Sequence, residues 1–157
     1  MATVSLSLTG RALRLLSARE HSRPELERKL ARYEEVPGTL AKALDALEAK
    51  NYINPQRVAE SVVHRRSAKL GVARLRQELL AKGLEAHTIQ DALKPARETE
   101  LARAHAIWLK KFGQAPQDES ERARQMRFLA GRGFGGDTIH RVVGGGCHGY
   151  EGDDGDE

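Results

Sequence analysis

Apolar residues recur every three or four positions along most of the chain, the spacing of helices that bury one side. No stretch shows sustained alternation of apolar and polar residues, so the sequence predicts an all-helical protein. The clearest pattern lies between residues 52 and 84. Pro55, preceded by an asparagine, forms a typical helix start, and Gly71 opens a second helix that Lys82-Gly83 ends.

The segments on either side carry the same spacing. Ser22 and Glu25 form a capping-box pattern, and Pro37-Gly38 separates two helices. Pro95 is expected to end a short helix at 86–93, a longer helix follows at 98–112, and Asp118 is a plausible helix cap. The residues expected on the buried sides of the flanking helices are Ala12, Leu13, Leu16, Leu26, Leu30, Leu40, Ala43, Leu44, Leu47, Ile89, Ala92, Leu93, Leu101, Ala104, Ile107, Trp108, Phe112, Met126, Leu129, Ile139, Val142 and Val143.

Parts of the chain repeat. Leu80–Leu84 aligns with Ala130–Phe134 at an offset of 50, and Thr88-Ile89 aligns with Thr138-Ile139 at the same offset. We therefore predict three tandem three-helix repeats at 9–50, 51–96 and 97–143, with an N-terminal extension at 1–8. Such small units bury their shared faces by stacking, which favours an elongated, curved molecule. The Gly-rich acidic tail, 144–157, is expected to be disordered.

Charge is distributed unevenly along the chain. The formal net charge is +4, but residues 144–157 contain five acids and no Lys or Arg, so residues 1–143 carry 26 − 17 = +9. A basic body with an acidic tail indicates an anionic partner, or a tail that competes with one. A merely solubilising tail is the alternative interpretation.

No run of about 18 apolar residues occurs, so no membrane span is expected. The amino terminus lacks the pattern of a signal peptide. The single cysteine, Cys147, cannot form an internal disulfide, which favours a reducing cytoplasm. We expect a cytoplasmic monomer.

Motifs that could carry chemistry are weak. Gly131, Gly133 and Gly136 satisfy G-x-G-x-x-G, but a helix precedes them, whereas nucleotide binding requires a strand that turns into a helix. Cys147 and His148 lie in the tail without further metal ligands nearby. The other histidines, among them His21, are expected at the surface. The sequence therefore predicts no catalytic residue, no metal, no cofactor and no enzyme.

A basic cluster is the remaining candidate site, as a surface that binds a partner. It comprises Arg65, Arg66, Lys69, Arg74, Arg76, Lys82, Arg124, Arg127 and Arg132. Arg74 points away from the apolar stripe of its helix. Arg66 lies near the apolar side of its own helix, so an internal pair with an acid such as Glu78 is an equal alternative for it.

These residues resemble the RecX regulators of the bacterial RecA recombinase over nearly the whole chain apart from the tail. The resemblance rests on Tyr52-Ile53-Asn54, Arg57-Val58-Ala59, Gly71, Arg74-Leu75-Arg76-Gln77-Glu78-Leu79, Lys82-Gly83-Leu84 and Arg127-Phe128-Leu129-Ala130-Gly131-Arg132-Gly133-Phe134. Pro55 stands where the family usually has an acid, and Val58 where it usually has Phe. These differences concern a cap and a core contact.

The resemblance implies tandem three-helix repeats and a regulator of homologous recombination, DNA repair and the SOS response. Such a regulator binds the RecA–DNA filament and inhibits its ATP hydrolysis, strand exchange and growth. A weak, salt-dependent contact with single- or double-stranded DNA is compatible with this role. The alternative from another class is a stand-alone basic helical protein that binds nucleic acid.

Overall fold

The computed structural model describes residues 4–145, which form nine α-helices and one 3-10 turn, without a β-strand in that range. The elements are α1 (Leu8–Ala18), α2 (Arg23–Leu30), the 3-10 turn (Ala31–Tyr33), α3 (Thr39–Ala49), α4 (Pro55–Arg66), α5 (Val72–Ala81), α6 (Ala86–Glu98), α7 (Glu100–Lys111), α8 (Glu119–Gly131) and α9 (Gly136–Val143). The predicted all-helical fold is confirmed.

Contacts divide the chain into two compact units. Unit 1 comprises Met1–Val63 and Glu78–Ala92, and unit 2 comprises His64–Gln77 and Leu93–Glu157. Each of the helices α4, α5 and α6 contributes residues to both units. The predicted second repeat, 51–96, is therefore divided between them. The elongated, curved shape stays a prediction.

Helix starts follow the local sequence closely. The Ser22 hydroxyl accepts the Glu25 N–H at 3.3 Å, and the Glu25 carboxylate accepts the Ser22 N–H at 3.2 Å. The Asp118 carboxylate accepts the Glu121 N–H at 2.8 Å at the start of α8. These hydrogen bonds confirm both predicted caps. Caps can be predicted from sequence because they depend only on residues within one turn of each other.

The core of unit 1 is built mainly from leucines. One cluster of its buried residues consists of Ala12, Leu26, Leu30, Leu40, Leu44, Leu47 and Ile53. Leu13, which the pattern placed on the buried side of α1, is instead 37% exposed. Leu8, Leu15 and Leu16 pack against this core. Leu8 and Leu16 are each four residues from Ala12 and Leu15 is three, so all of them lie on the same side of the helix as Ala12. Leu13 is the next residue after Ala12 and therefore points about 100° away from it around the helix axis.

The core of unit 2 contains the single tryptophan. The cluster of buried residues around it consists of Ala104, Trp108, Leu129, Phe134, Ile139, Val142 and Val143. The Trp108 indole N–H donates to the side-chain oxygen of buried Gln125 at 2.8 Å. This bond satisfies a polar group that burial would otherwise leave without a partner.

Pro95 does not end its helix, contrary to the sequence prediction, because α6 continues through it to Glu98. Ala96 is 2% exposed, so the turn after the proline is anchored in the interior. The Ala96 carbonyl also accepts a 2.6 Å hydrogen bond from the guanidinium of Arg103. These tertiary contacts offset the N–H that Pro95 lacks.

His21 is a second correction, since it is 2% exposed rather than at the surface. One ring nitrogen lies 3.0 Å from the Arg19 carbonyl, and the other lies 3.0 Å from the Lys29 ammonium. Burial is the largest cause that lowers the pKa of His21 below 6.5; the hydrogen bond to the Arg19 carbonyl opposes it, and the positive charges of Arg19 and Lys29 act with it. The neutral ring can then donate to Arg19 and accept from Lys29.

The same joint between helices occurs once in each unit. In unit 1, the Ser22 hydroxyl donates to the Lys82 carbonyl at 2.6 Å, and Pro24 lies against Gly83. In unit 2, the Gly71 N–H donates to the Arg132 carbonyl at 2.8 Å. Because Lys82-Gly83 and Arg132-Gly133 are the pairs that the sequence repeat aligned, the repeat corresponds to a repeated contact.

Candidate binding surface

Eight of the nine predicted binding residues belong to unit 2, and all eight are exposed or half-exposed. They are Arg65, Arg66, Lys69, Arg74, Arg76, Arg124, Arg127 and Arg132. We call this predicted set of eight residues the basic face. Lys82 belongs to unit 1 and is described separately.

The turn that carries Lys69 is held by a half-buried arginine. The Arg103 guanidinium, on α7, donates to the carbonyls of Ser67 and Leu70 at the end of α4, and also to that of Ala96. Burial lowers the pKa of Arg103, which the nearby Glu100 carboxylate partly offsets. A guanidinium carries five donors in a fixed plane, so it can hold three carbonyls at once.

The start of α5 is packed tightly on the turn after α8. The Ala73 N–H donates to the Gly133 carbonyl at 3.2 Å, beside the bond from Gly71 to Arg132. A Cβ on Gly71 would collide with the Gly133 carbonyl, and a Cβ on Gly133 would collide with Arg74. Two glycines therefore allow the backbones to meet, and this contact places the Arg74 segment beside the Arg132 segment.

Glu100 completes this joint. Its carboxylate accepts the Val72 N–H at 2.9 Å and the Thr138 hydroxyl at 3.1 Å. Gly71, which precedes α5, has no side chain that could cap the helix, so an acid from α7 supplies the cap. The sequence pattern does not reveal this role, because Glu100 and Val72 are distant in the chain.

Two arginines of the basic face lie over aromatic rings. The Arg132 guanidinium carbon is 5.0 Å from the centre of the Phe128 ring, and that of Arg124 is 5.6 Å from the Phe112 ring. The two rings meet edge to face at 5.4 Å. Cation–π contacts of this kind restrict the arginines while leaving their charge at the surface.

Lys82 has a different environment. Its ammonium lies 3.1 Å from the carboxylate of buried Glu25, which also pairs with Arg19 at 2.7 Å. The Lys82 side chain is only 21% exposed. Its charge is thus balanced inside unit 1, and we separate it from the basic face.

The weak chemical motifs do not assemble into a site in the described part of the chain. Gly133 has φ +86° and follows α8, so the G-x-G-x-x-G pattern lies between two helices. Among residues 4–145, no group of three or more His, Cys, Asp or Glu residues could hold a metal ion. Cys147 and His148 lie outside the described residues.

None of the helices described has the length and apolar character that crossing a bilayer requires. The repeated helical joint and the nine helices of the described residues define the class of protein, which is a helical repeat protein. The comparisons with known proteins give the family.

Two family models match the chain: the one described as "RecX, third three-helix domain" at residues 98–143, and the one described as "RecX, second three-helix domain" at residues 56–93. Regulatory protein RecX of Leptothrix cholodnii is 51% identical over 138 residues, which covers 88% of each chain. That of Herminiimonas arsenicoxydans is 44% identical over 143 residues, which covers 91% of this chain and 92% of the relative. The chain therefore belongs to the RecX family.

Solved structures agree with the fold. A crystal structure of regulatory protein RecX superposes with a TM-score of 0.75 at 21% identity, over 88% of this chain and 71% of the other. RecX from Lactobacillus salivarius gives a TM-score of 0.75 at 19% identity, over 88% and 93%. The predicted family is confirmed, and so is the prediction of a regulatory protein rather than an enzyme, since the relatives are named as regulatory proteins.

Proposed function

We propose that this protein regulates homologous recombination in the cytoplasm by binding the RecA–DNA filament and restraining its ATP hydrolysis, strand exchange and growth. Membership of the RecX family is the observation that carries the proposal. We further propose the three-repeat organisation at 9–50, 51–96 and 97–143 as the frame that presents the binding residues.

The basic face is the surface proposed to meet the filament. Lys69 and Arg74 are exposed, and the contacts of Arg103 and Gly133 hold the segments that carry them. A pre-ordered positive surface loses little conformational freedom when a partner binds. Charges of this kind mainly increase the rate of association and its dependence on salt.

The decisive experiment measures ATP hydrolysis by RecA on single-stranded DNA, together with co-sedimentation of this protein with the filaments. We expect the natural chain to reduce hydrolysis and to sediment with the filaments. Replacing Lys69, Arg74 and Arg127 together by Gln should weaken both effects by about tenfold or more, because three charge contacts are lost.

The matched control replaces Lys110 and Arg141 by Gln. Both are exposed cations of unit 2 outside the basic face, so this variant should behave like the natural chain. If saturating natural chain left both hydrolysis and sedimentation unchanged, the proposed function would be wrong. If both variants lost inhibition of hydrolysis and co-sedimentation to the same extent, the basic face would be rejected as the binding surface.

The alternative function, binding of nucleic acid without a recombinase, has less support. Proteins that bind single strands commonly offer aromatic rings on which bases stack. Trp108 is 5% exposed and bonded to Gln125, so it is not such a platform. Titration of labelled DNA at increasing salt tests this alternative, because tight, sequence-selective binding in the absence of RecA would favour it.

A further inference from the structure

A groove with a volume of about 540 Å³ lies on the surface of unit 1, between α1 and the end of α2 with its following 3-10 turn. Four cations line it, Arg11, Arg14, Lys29 and Arg32, and no acidic side chain among residues 4–145 does. These residues are outside the predicted basic cluster. The groove is thus a second positive surface, which the sequence pattern did not predict.

The floor of this groove is apolar. Leu6, Leu15, Leu30 and Tyr33 contribute to it. A neighbouring cavity of about 510 Å³ shares Leu6 and Tyr33 and adds Val36, although it also includes an acid. Leu6 is 43% and Val36 is 62% exposed. Exposed apolar side chains grouped inside a polar rim are typical of surfaces that bind proteins.

The arginines at the rim are already ordered. The Arg11 guanidinium carbon lies 3.8 Å from the centre of the Tyr33 ring, and that of Arg32 lies 4.7 Å from it. Arg32 also donates to the Tyr33 hydroxyl at 2.7 Å. With its ring covered by guanidinium groups, Tyr33 is poorly placed to stack on a nucleobase. The groove therefore favours a peptide over a nucleic acid.

We propose that this groove binds an acidic segment of a partner protein that carries aliphatic or aromatic side chains among its acids. The carboxylates pair with Arg11 and Arg14 at the rim, and an apolar side chain is buried against Leu15 and Leu30. Arg14 and Leu15 both line the groove, so one short segment can make both kinds of contact. This surface is distinct from the basic face and goes beyond the proposed function.

The test uses the full chain and a fluorescein-labelled peptide, Glu-Asp-Leu-Glu-Phe-Leu-Asp-Glu, with binding measured by fluorescence anisotropy. Arg14→Glu should weaken binding by about tenfold or more, because an attractive charge becomes repulsive. Arg28→Glu is the matched control. Arg28 is an exposed cation of α2 that does not line the groove, and its reversal should change affinity by less than about twofold.

Two further probes test the chemistry of the occupant. A peptide with Ser in place of Leu and Phe should bind at least about tenfold more weakly, because it buries no apolar surface. A short oligothymidylate should bind more weakly than the acidic peptide. Circular dichroism checks that both protein variants remain folded.

The proposal is overturned if Arg14→Glu and Arg28→Glu reduce affinity equally, or if the serine peptide binds as tightly as the apolar one. It is also overturned if the oligothymidylate binds more tightly and Arg14→Glu removes that binding, since the groove would then be a nucleic-acid site. No recombinase is present in this assay, so its result is independent of the filament experiment.

Discussion

Glu25 illustrates at the scale of one residue how a local helix cap also carries long-range contacts. Burial alone would raise the pKa of its carboxyl. However, the ionised carboxylate accepts hydrogen bonds from the Arg19 side chain, the Ser22 N–H and the Lys82 ammonium. Together these donors lower the pKa from 4.5 to about 2. The sequence predicted the cap, because Ser22 and Glu25 are three residues apart. It did not predict the pair with Lys82, because that contact spans 57 positions.

This pKa predicts how stability depends on pH. Since the folded form holds the Glu25 carboxylate more tightly ionised than the unfolded chain does, its contribution is fully present above pH 4.5 and is lost as the pH falls towards 2. Glu25→Gln should lower the free energy of unfolding at pH 7 by about 2 kcal/mol. It should also reduce the loss of stability between pH 5 and pH 2. Urea unfolding at several pH values measures both effects.

Glu27→Gln is the control for this experiment. Glu27 pairs with Arg23 at 3.0 Å but is half exposed, so its loss should cost no more than about 1 kcal/mol. A stability curve for Glu25→Gln with the same slope as that of the natural chain would show that Glu25 is not the source of the acid sensitivity.

Polar residues that bond to distant parts of the chain were the least predictable single positions. Arg103 looks in the sequence like any cation on a helix surface, yet it bonds three carbonyls. His21 looked equally ordinary but is buried between Arg19 and Lys29. Helical periodicity reports which side of a helix is apolar. It carries no information about a polar side chain whose partners lie on other helices.

At the scale of elements, the joint between the start of α5 and the turn after α8 is the feature most sensitive to substitution. Gly133 has φ +86°, and the Cβ of any other residue there would lie 2.5 Å from the backbone nitrogen of Arg74. The same turn accepts two backbone hydrogen bonds from the Gly71–Ala73 segment. Neither helix can shift away without breaking these bonds.

We expect Gly133→Ala to destabilise the protein by about 2 kcal/mol or more, from the positive φ and the collision with backbone. Gly136→Ala is the matched control, because a Cβ there meets nothing within 4 Å. Thermal unfolding followed by circular dichroism compares the two. The joint would be less rigid than described if both variants melted together with the natural chain.

Element boundaries were predicted well where local chemistry sets them and poorly elsewhere. Asp118 begins α8 as expected, since its side chain caps the helix directly. Pro95 was expected to end α6, but the burial of Ala96 and the bond from Arg103 extend the helix to Glu98. Local sequence favours a particular helix end. Tertiary contacts move that end when they stabilise the longer helix by more than the proline destabilises it.

At the scale of the whole molecule, the distribution of charge has a consequence that can be measured. Residues 146–157 carry five acids and no Lys or Arg, so without them the net charge rises from +4 to 26 − 17 = +9. Net charge governs the long-range attraction between a protein and a charged partner.

We expect removal of residues 146–157 to increase the rate of association with RecA–DNA filaments at low salt, by about tenfold. The difference should shrink at high salt, because ions screen charges over about 10 Å at 0.1 M. Stopped-flow fluorescence measures these rates. Replacing the five acids by Asn and Gln should reproduce the effect. If truncation left the association rate unchanged at low salt, the acidic tail would not slow association with the filament.

The sequence by itself determined the helical class, the repeated unit and the family, because these depend on periodicity and on short motifs such as the Gly71 and Lys82-Gly83 segments. It also located the cations of the basic face. Only the tertiary structure decided which cations belong together: Lys82 is balanced by Glu25, and four cations from α1, α2 and the 3-10 turn line a groove. The reason is physical, since the environment of a charge is set by residues that are near in space and distant in the chain.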